Sequence, residues 1–120
     1  MFGRRKRTAA APEVLLPEIS PADAEEQVRA RTLVLIDVRE NDGRTTLAPG
    51  VQSQHLPVGE IDERMGELPT DRPLAFVCRS GKRSAKAAAA AAAADLDVRN
   101  VTGGMTAWQD AGLSTTKGSA

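Results

Sequence analysis

The sequence predicts an α/β fold with a central, mostly parallel sheet, and three observations carry that prediction. Leu33-Val34-Leu35-Ile36-Asp37-Val38-Arg39 and Leu74-Ala75-Phe76-Val77-Cys78 are near-continuous apolar runs, and a run without alternation suits a strand covered on both faces. Helical segments separate the strand candidates, so strand and helix alternate along the chain. Both runs end in polar or reactive side chains, and ligands of open parallel sheets sit beyond the carboxyl ends of the strands. With 120 residues, the chain can bury one core in a single domain without disulfides or metal.

The N-terminal tract Arg4-Arg5-Lys6-Arg7 marks residues 1–12 as a flexible basic arm. A twin arginine in a charged start resembles a secretory signal, but Thr8-Ala9-Ala10-Ala11-Pro12-Glu13 is not the apolar stretch of ~7–15 residues that such a signal needs. A solvated charge run is the ordinary reading of the arm; contact with nucleic acid or anionic lipid is the sharper alternative. Val14-Leu15-Leu16 reads as a weak strand or a cap over the core. Ser20-Pro21-Ala22-Asp23 starts a helix that runs to about Arg31, with Ser as N-cap, Pro in the first turn and acids behind it.

After the first apolar run, Asn41-Asp42-Gly43 is a turn, and residues 44–50 are polar and irregular, closed by Pro49-Gly50. Residues 51–56 hold a short strand ended by Pro57, and residues 61–68 form one or two helical turns. Pro73 opens the second buried strand. The alanine-rich segment 85–94 is the strongest helix signal, broken by Asp95-Leu96-Asp97. Residues 98–101 form a third strand, and a short helix over 105–111 carries Trp108 and stops at Gly112. Residues 114–120 read as a polar tail, leaving residues 13–113 as the domain.

Aromatic content is 2 %, with no tyrosine, so the core is aliphatic and stacking on nucleic-acid bases is not expected. The formal charge of zero conceals an asymmetry. Four of the 16 basic residues lie in the arm, leaving 12 basic against 16 acidic residues elsewhere. Within that mildly acidic remainder, Arg79, Lys82, Arg83 and Lys86 form a local basic segment. A single Cys excludes an internal disulfide and fits a reducing compartment, so a cytoplasmic location is expected. One Cys and one His make no metal-ligand cluster, and neither metal nor cofactor is expected. The ~18 consecutive apolar residues of a membrane span are absent.

The chemistry concentrates at Cys78-Arg79-Ser80-Gly81-Lys82-Arg83-Ser84. A thiol between a strand end and a helix N-terminus meets unpaired N–H groups and the positive end of the helix dipole, which favour thiolate. Arg79, Lys82 and Arg83 add charge of the same helpful sign. Gly81 permits positive φ, so the loop can curl and aim successive N–H groups inward as an anion cradle. Ser84 is expected to cap the helix that follows. The plain alternative for an apolar-flanked Cys is a buried structural thiol, and for each of the three cations a solvated loop charge. His55 reads as a structural histidine, and Met105 and Trp108 as core under the last helix.

These residues also carry a resemblance. The loop at residues 78–84 is similar to the active-site loop of single-domain rhodanese-like sulfurtransferases. Leu35-Ile36-Asp37-Val38-Arg39-Glu40 resembles that family's upstream strand-end motif, and Pro57-Val58-Gly59-Glu60-Ile61 its segment before a short helix. Gly103-Gly104-Met105, Ala107-Trp108 and Ala111-Gly112-Leu113 resemble its C-terminal signature. The motifs occur in the family's order across most of the chain. One segment departs: residues 42–55 keep only Pro49-Gly50-Val51 of the usual pattern, are lengthened and lack a Gly-His pair.

The resemblance implies a three-layer α/β/α domain with a sheet of about five strands. It implies that Cys78 takes sulfane sulfur from an anionic donor such as thiosulfate, and passes it to a thiol or cyanide-like acceptor or to a partner protein. Arg79, Ser80, Gly81, Lys82, Arg83 and Ser84 would hold the persulfide and attract the donor, with Asp37 and Arg39 supporting the crevice; a structural ion pair is the equal alternative for those two. Cysteine phosphatases and arsenate reductases are related in fold, but they need an Arg six positions after the Cys to grip phosphate. Position 84 is Ser, and Arg83 falls one residue early. A carrier or binding module using the same loop is the third reading.

Overall fold

The computed structural model describes residues 16–40 and 47–117. The basic arm and the turn expected at 41–43 lie outside them. Five parallel strands form the central sheet: β1 (Glu18–Ile19), β2 (Val34–Asp37), β4 (Gln54–His55), β5 (Leu74–Val77) and β6 (Val98–Val101), in the order β1-β6-β5-β2-β4. Three helices cover it: α1 (Pro21–Arg29), α2 (Lys82–Ala93) and α3 (Gly104–Asp110).

Side chains alternate between the two faces of the central strands, and both faces are buried. Ile36, Leu74, Phe76 and Val98 pack with Ala87, Ala88 and Ala91 of α2. Leu35, Ala75, Val77 and Val101 pack with Ala24 of α1 and with Met105 and Trp108 of α3. The result is the expected three-layer sandwich, and it explains why the strand runs show no polar alternation. The three α2 alanines are 0 % exposed. With only a methyl at each contact, the helix lies close on the sheet, and larger side chains there would overpack it.

Local chemistry sets the helix ends. Ser20 Oγ accepts the Asp23 N–H at 3.1 Å, and Pro21 opens α1. Asp95, in the left-handed region at φ 68°, stops α2. The Asp95 and Leu96 N–H groups then return to the carbonyls of Ala92 and Ala91, satisfying acceptors that the helix leaves open.

Two regions differ from the expectation. The first described sheet strand is Glu18–Ile19, which the sequence did not suggest; of the Val14-Leu15-Leu16 run, read as a weak strand or a cap, only Leu16 is described, and it packs on the α2-side core. The supposed tail contains β7 (Thr115–Lys117), which pairs antiparallel with β3 (Leu47–Pro49) in a second, two-stranded sheet. That pairing is close: Gly50 N–H donates to the Ser114 carbonyl at 2.7 Å, and a methyl on Gly50 would lie 2.6 Å from the Ser114 carbonyl carbon. The segment 61–68 supplies one short 3-10 turn, Met65–Glu67, in keeping with the one or two helical turns expected there, and another, Val58–Glu60, lies before it. No helix among the described residues is long and apolar enough to cross a membrane.

Candidate active site

Cys78 follows directly on the last residue of β5, at the carboxyl end of the sheet. It is buried, at 1 % exposure. Gly81 adopts φ 100° and turns the chain into α2. That turn directs the Gly81 N–H at the Cys78 sulfur (3.1 Å) and the Ser84 N–H at the same atom (3.3 Å). Space does not demand glycine at position 81, where an added methyl would approach no heavy atom closer than 3.4 Å; the positive φ does.

Ser84 does not cap α2 as expected. The helix begins at Lys82, which places Ser84 within the first turn, and Gly81 offers no side chain to cap it. The Cys78 sulfur accepts the third-position N–H instead, the bond that a capping oxygen would ordinarily make. A sulfur in that position collects orphan donors and the positive end of the helix dipole together.

Burial pushes the Cys78 thiol up, but hydrogen bonds from the Ser84 side chain and from the N–H groups of Ser84, Gly81 and Ser80 outweigh it, leaving its pKa below the ordinary thiol value. The Ser84 hydroxyl also donates to Asn100 Oδ1 at 2.6 Å. It carries one hydrogen and cannot serve both acceptors at once; the backbone donors are the standing part of the cradle.

A second set of contacts holds the loop from behind. Met105 N–H donates to the Cys78 carbonyl at 2.8 Å, and Thr106 N–H to the Arg79 carbonyl at 3.0 Å. This approach is possible because residue 104 is glycine at φ 59°. A methyl there would collide with the Cys78 carbonyl oxygen and lie 2.7 Å from the Arg79 carbonyl. The Gly103-Gly104 pair is therefore part of the loop's foundation. Asn100, on β6, donates from Nδ2 to the Gly81 carbonyl at 3.1 Å. Neither Asn100 nor Gly104 was among the site residues read from the sequence, although a polar residue between Val98 and Val101 is a signal that could have found Asn100.

Arg79, Lys82, Arg83 and Lys86 are exposed around the loop, and Ser80 is exposed beside them. None of the four cations has an ion-pair partner among the described residues. Asp37 and Arg39 are a buried ion pair at the end of neighbouring β2, 0 % and 3 % exposed. Arg39 Nε donates to Asp37 Oδ1 at 3.0 Å and Nη2 to Oδ2 at 2.9 Å, a bidentate fork. His55 Nε2 lies 2.6 Å from the Arg39 carbonyl, which ties β4 to the same strand end.

A parallel α/β domain with a cysteine cradled by main-chain N–H groups beyond its sheet defines a class, and comparison with known proteins narrows it. The rhodanese-like domain family matches residues 20–111, and the chain belongs to that family. It is 38 % identical over 97 residues to "Putative sulfurtransferase YtwF" of Bacillus subtilis, covering 78 % of this chain and 91 % of that protein. It is 34 % identical over 96 residues to "Putative sulfur carrier protein YrkF" of the same organism, of which it spans 51 %. A crystal structure of a rhodanese-related protein from Thermoplasma volcanium superposes with TM-score 0.77 at 27 % identity, covering 83 % of this chain and 97 % of the other.

Proposed function

We propose that the protein is a sulfurtransferase that works through a persulfide on Cys78, with thiosulfate or a similar anion as donor. The observation that carries this reading is the convergence of the Gly81 and Ser84 N–H groups on one buried sulfur. The thiolate attacks the outer sulfur of the donor; a new S–S bond forms, the donor's own S–S bond breaks, and sulfite leaves with the bonding pair. The acceptor nucleophile then attacks the terminal persulfide sulfur and the Cys78 thiolate departs. Negative charge stays on sulfur throughout, which is the charge that N–H donors and the helix N-terminus stabilise.

In this reading Arg79, Lys82 and Arg83 draw the anionic donor to the loop, while Ser80, Gly81 and Ser84 hold the adduct. Asp37 and Arg39 keep the adjoining strand end rigid. Ser84 supplies no guanidinium fork for phosphate, which favours sulfur over phosphoryl chemistry.

The likeness to YrkF favours a second reading, a persulfide carrier that delivers to a partner protein. Incubation with thiosulfate is expected to add one sulfur, about 32 Da, at Cys78; cyanide removes it as thiocyanate, and Cys78→Ser abolishes both. An unchanged intact mass in folded protein refutes both sulfur readings. Repeated turnover with cyanide or a small thiol supports the enzyme, and transfer of a single equivalent to protein acceptors alone supports the carrier.

A further inference from the structure

We propose that Asn100 is a positioning residue for Cys78, holding the two ends of the N–H cradle at their working separation. The proposal rests on the reading of Cys78 as a nucleophile and adds to it a residue outside the loop.

The two N–H groups placed on the sulfur at 3.1 and 3.3 Å come from Gly81 and Ser84, with the Ser80 N–H beside them. Asn100 bonds to both. Its Nδ2 donates to the Gly81 carbonyl at 3.1 Å, and its Oδ1 accepts the Ser84 hydroxyl at 2.6 Å. The amide orientation is unambiguous, because a carbonyl oxygen can only accept. Asn100 is itself 5 % exposed and anchored on β6, whose carbonyls and N–H groups are committed to the sheet.

Its second Nδ2 hydrogen reaches Glu18 Oε2 at 3.3 Å, and Glu18 Oε1 accepts from Thr102 Oγ1 at 2.8 Å. The amide is thus gripped from behind by the edge strand and has its polar atoms satisfied on both sides. One rigid side chain spans the cradle, and it ties down the Gly81 end of a loop whose other end is held by the Met105 and Thr106 N–H groups on the Cys78 and Arg79 carbonyls.

The charged groups on the elements around the sulfur are Arg79, Lys82, Arg83 and Lys86 on the loop and α2, Glu18 on β1, the Asp37–Arg39 pair on β2, Arg99 on β6 (bonded to Asp97) and Asp110 on α3. A change from Asn to Ala alters none of them. Its effect on the thiol therefore reports geometry rather than charge.

The test is the pH profile of Cys78 alkylation by iodoacetamide in full-length protein, which needs no sulfur donor. Its outcome is thus separate from whether sulfur transfer occurs. Asn100→Ala is expected to move the alkylation midpoint upward by about one unit, roughly a tenfold loss of thiolate below both midpoints. Asn100→Thr fits a strand and can replace one of the two bonds but not both; a smaller upward shift is expected, and this variant carries the test if the alanine variant does not fold. Circular dichroism checks folding in each case. An unmoved midpoint in a folded variant overturns the proposal. A downward shift overturns it too, since Asn100 would then act chiefly by competing with sulfur for the Ser84 hydrogen.

Discussion

Met105 donates its main-chain N–H to the carbonyl oxygen of Cys78 at 2.8 Å, so the helix after the glycine pair is bonded directly to the residue proposed as nucleophile. The loop is held on its sulfur side by its own N–H groups and on its carbonyl side by α3. A cradle fixed from two sides does not need to reorganise when charge appears on the sulfur, and pre-arranged donors of this kind are the efficient ones.

Gly104→Ala tests that foundation. The added methyl meets the Cys78 carbonyl oxygen and the Arg79 carbonyl at a residue already in the left-handed region. Strain and overpacking together are expected to cost about 2–4 kcal/mol, read as a lower urea midpoint. Alkylation of Cys78 in the variant that remains folded is expected to need higher pH. Wild-type values for both would place the tolerance of the loop well beyond what the contact allows.

The Cys78 thiol couples stability to pH in a defined direction. Its pKa in the fold lies below the ordinary thiol value, so between the folded and unfolded pKa values the unfolded chain binds more protons. Stability rises with pH across that window, is complete above the unfolded value of about 8.5, and is lost as pH falls through the folded value. Urea midpoints of wild type and Cys78→Ala, compared at about pH 6 and pH 9.5, should show the wild type gaining at the alkaline end. An equal gap at both values would mean that the fold does not favour the thiolate.

Asp37→Ala removes the carboxylate that takes two N–H groups of a guanidinium that is 3 % exposed. Breaking a buried pair from one side is expected to cost about 3–5 kcal/mol, measurable by thermal or urea unfolding. The double change Asp37→Leu with Arg39→Met should cost less than the single one, because it removes the buried guanidinium together with its carboxylate. The opposite order would argue that the pair itself, and not the penalty for separating it, holds the strand end.

Lys82→Ala and Arg83→Ala are expected to raise KM for thiosulfate about two- to fivefold each while leaving kcat near wild type. An exposed charge contributes ~0.2–1 kcal/mol, and attraction before the chemical step affects capture more than conversion. Salt should narrow the difference between variant and wild type. A fall in kcat with unchanged KM would instead assign these side chains to the transition state.

The middle of the sheet is legible in the sequence because β2 and β5 are strongly apolar, and the third strand falls at the expected residues 98–101. The loop was legible because Gly81 and the cations are local signals. What escaped reading was set by partners far along the chain. Glu18 and Ile19 form a strand only because β6 lies beside them, and residues 47–49 only because residues 115–117 return to pair with them. Ser84 looked like a capping residue, but the sulfur six positions earlier takes its N–H, a competition that no local propensity records. Asn100 looks like a minor polar interruption until its two bonds to the loop are seen.

The edge strand has a bearing on how the protein is made. Glu18 meets Asn100 across 82 residues of chain, and the first described strand finds its sheet neighbour only when the fourth quarter of the chain is present. Contacts so distant in sequence form late. The contacts that brace the Cys78 loop from behind, Met105 N–H on the Cys78 carbonyl and Asn100 on the Gly81 carbonyl, come from segments that follow it in the chain. The cradle around the sulfur is therefore fully braced only when the last quarter of the chain is in place.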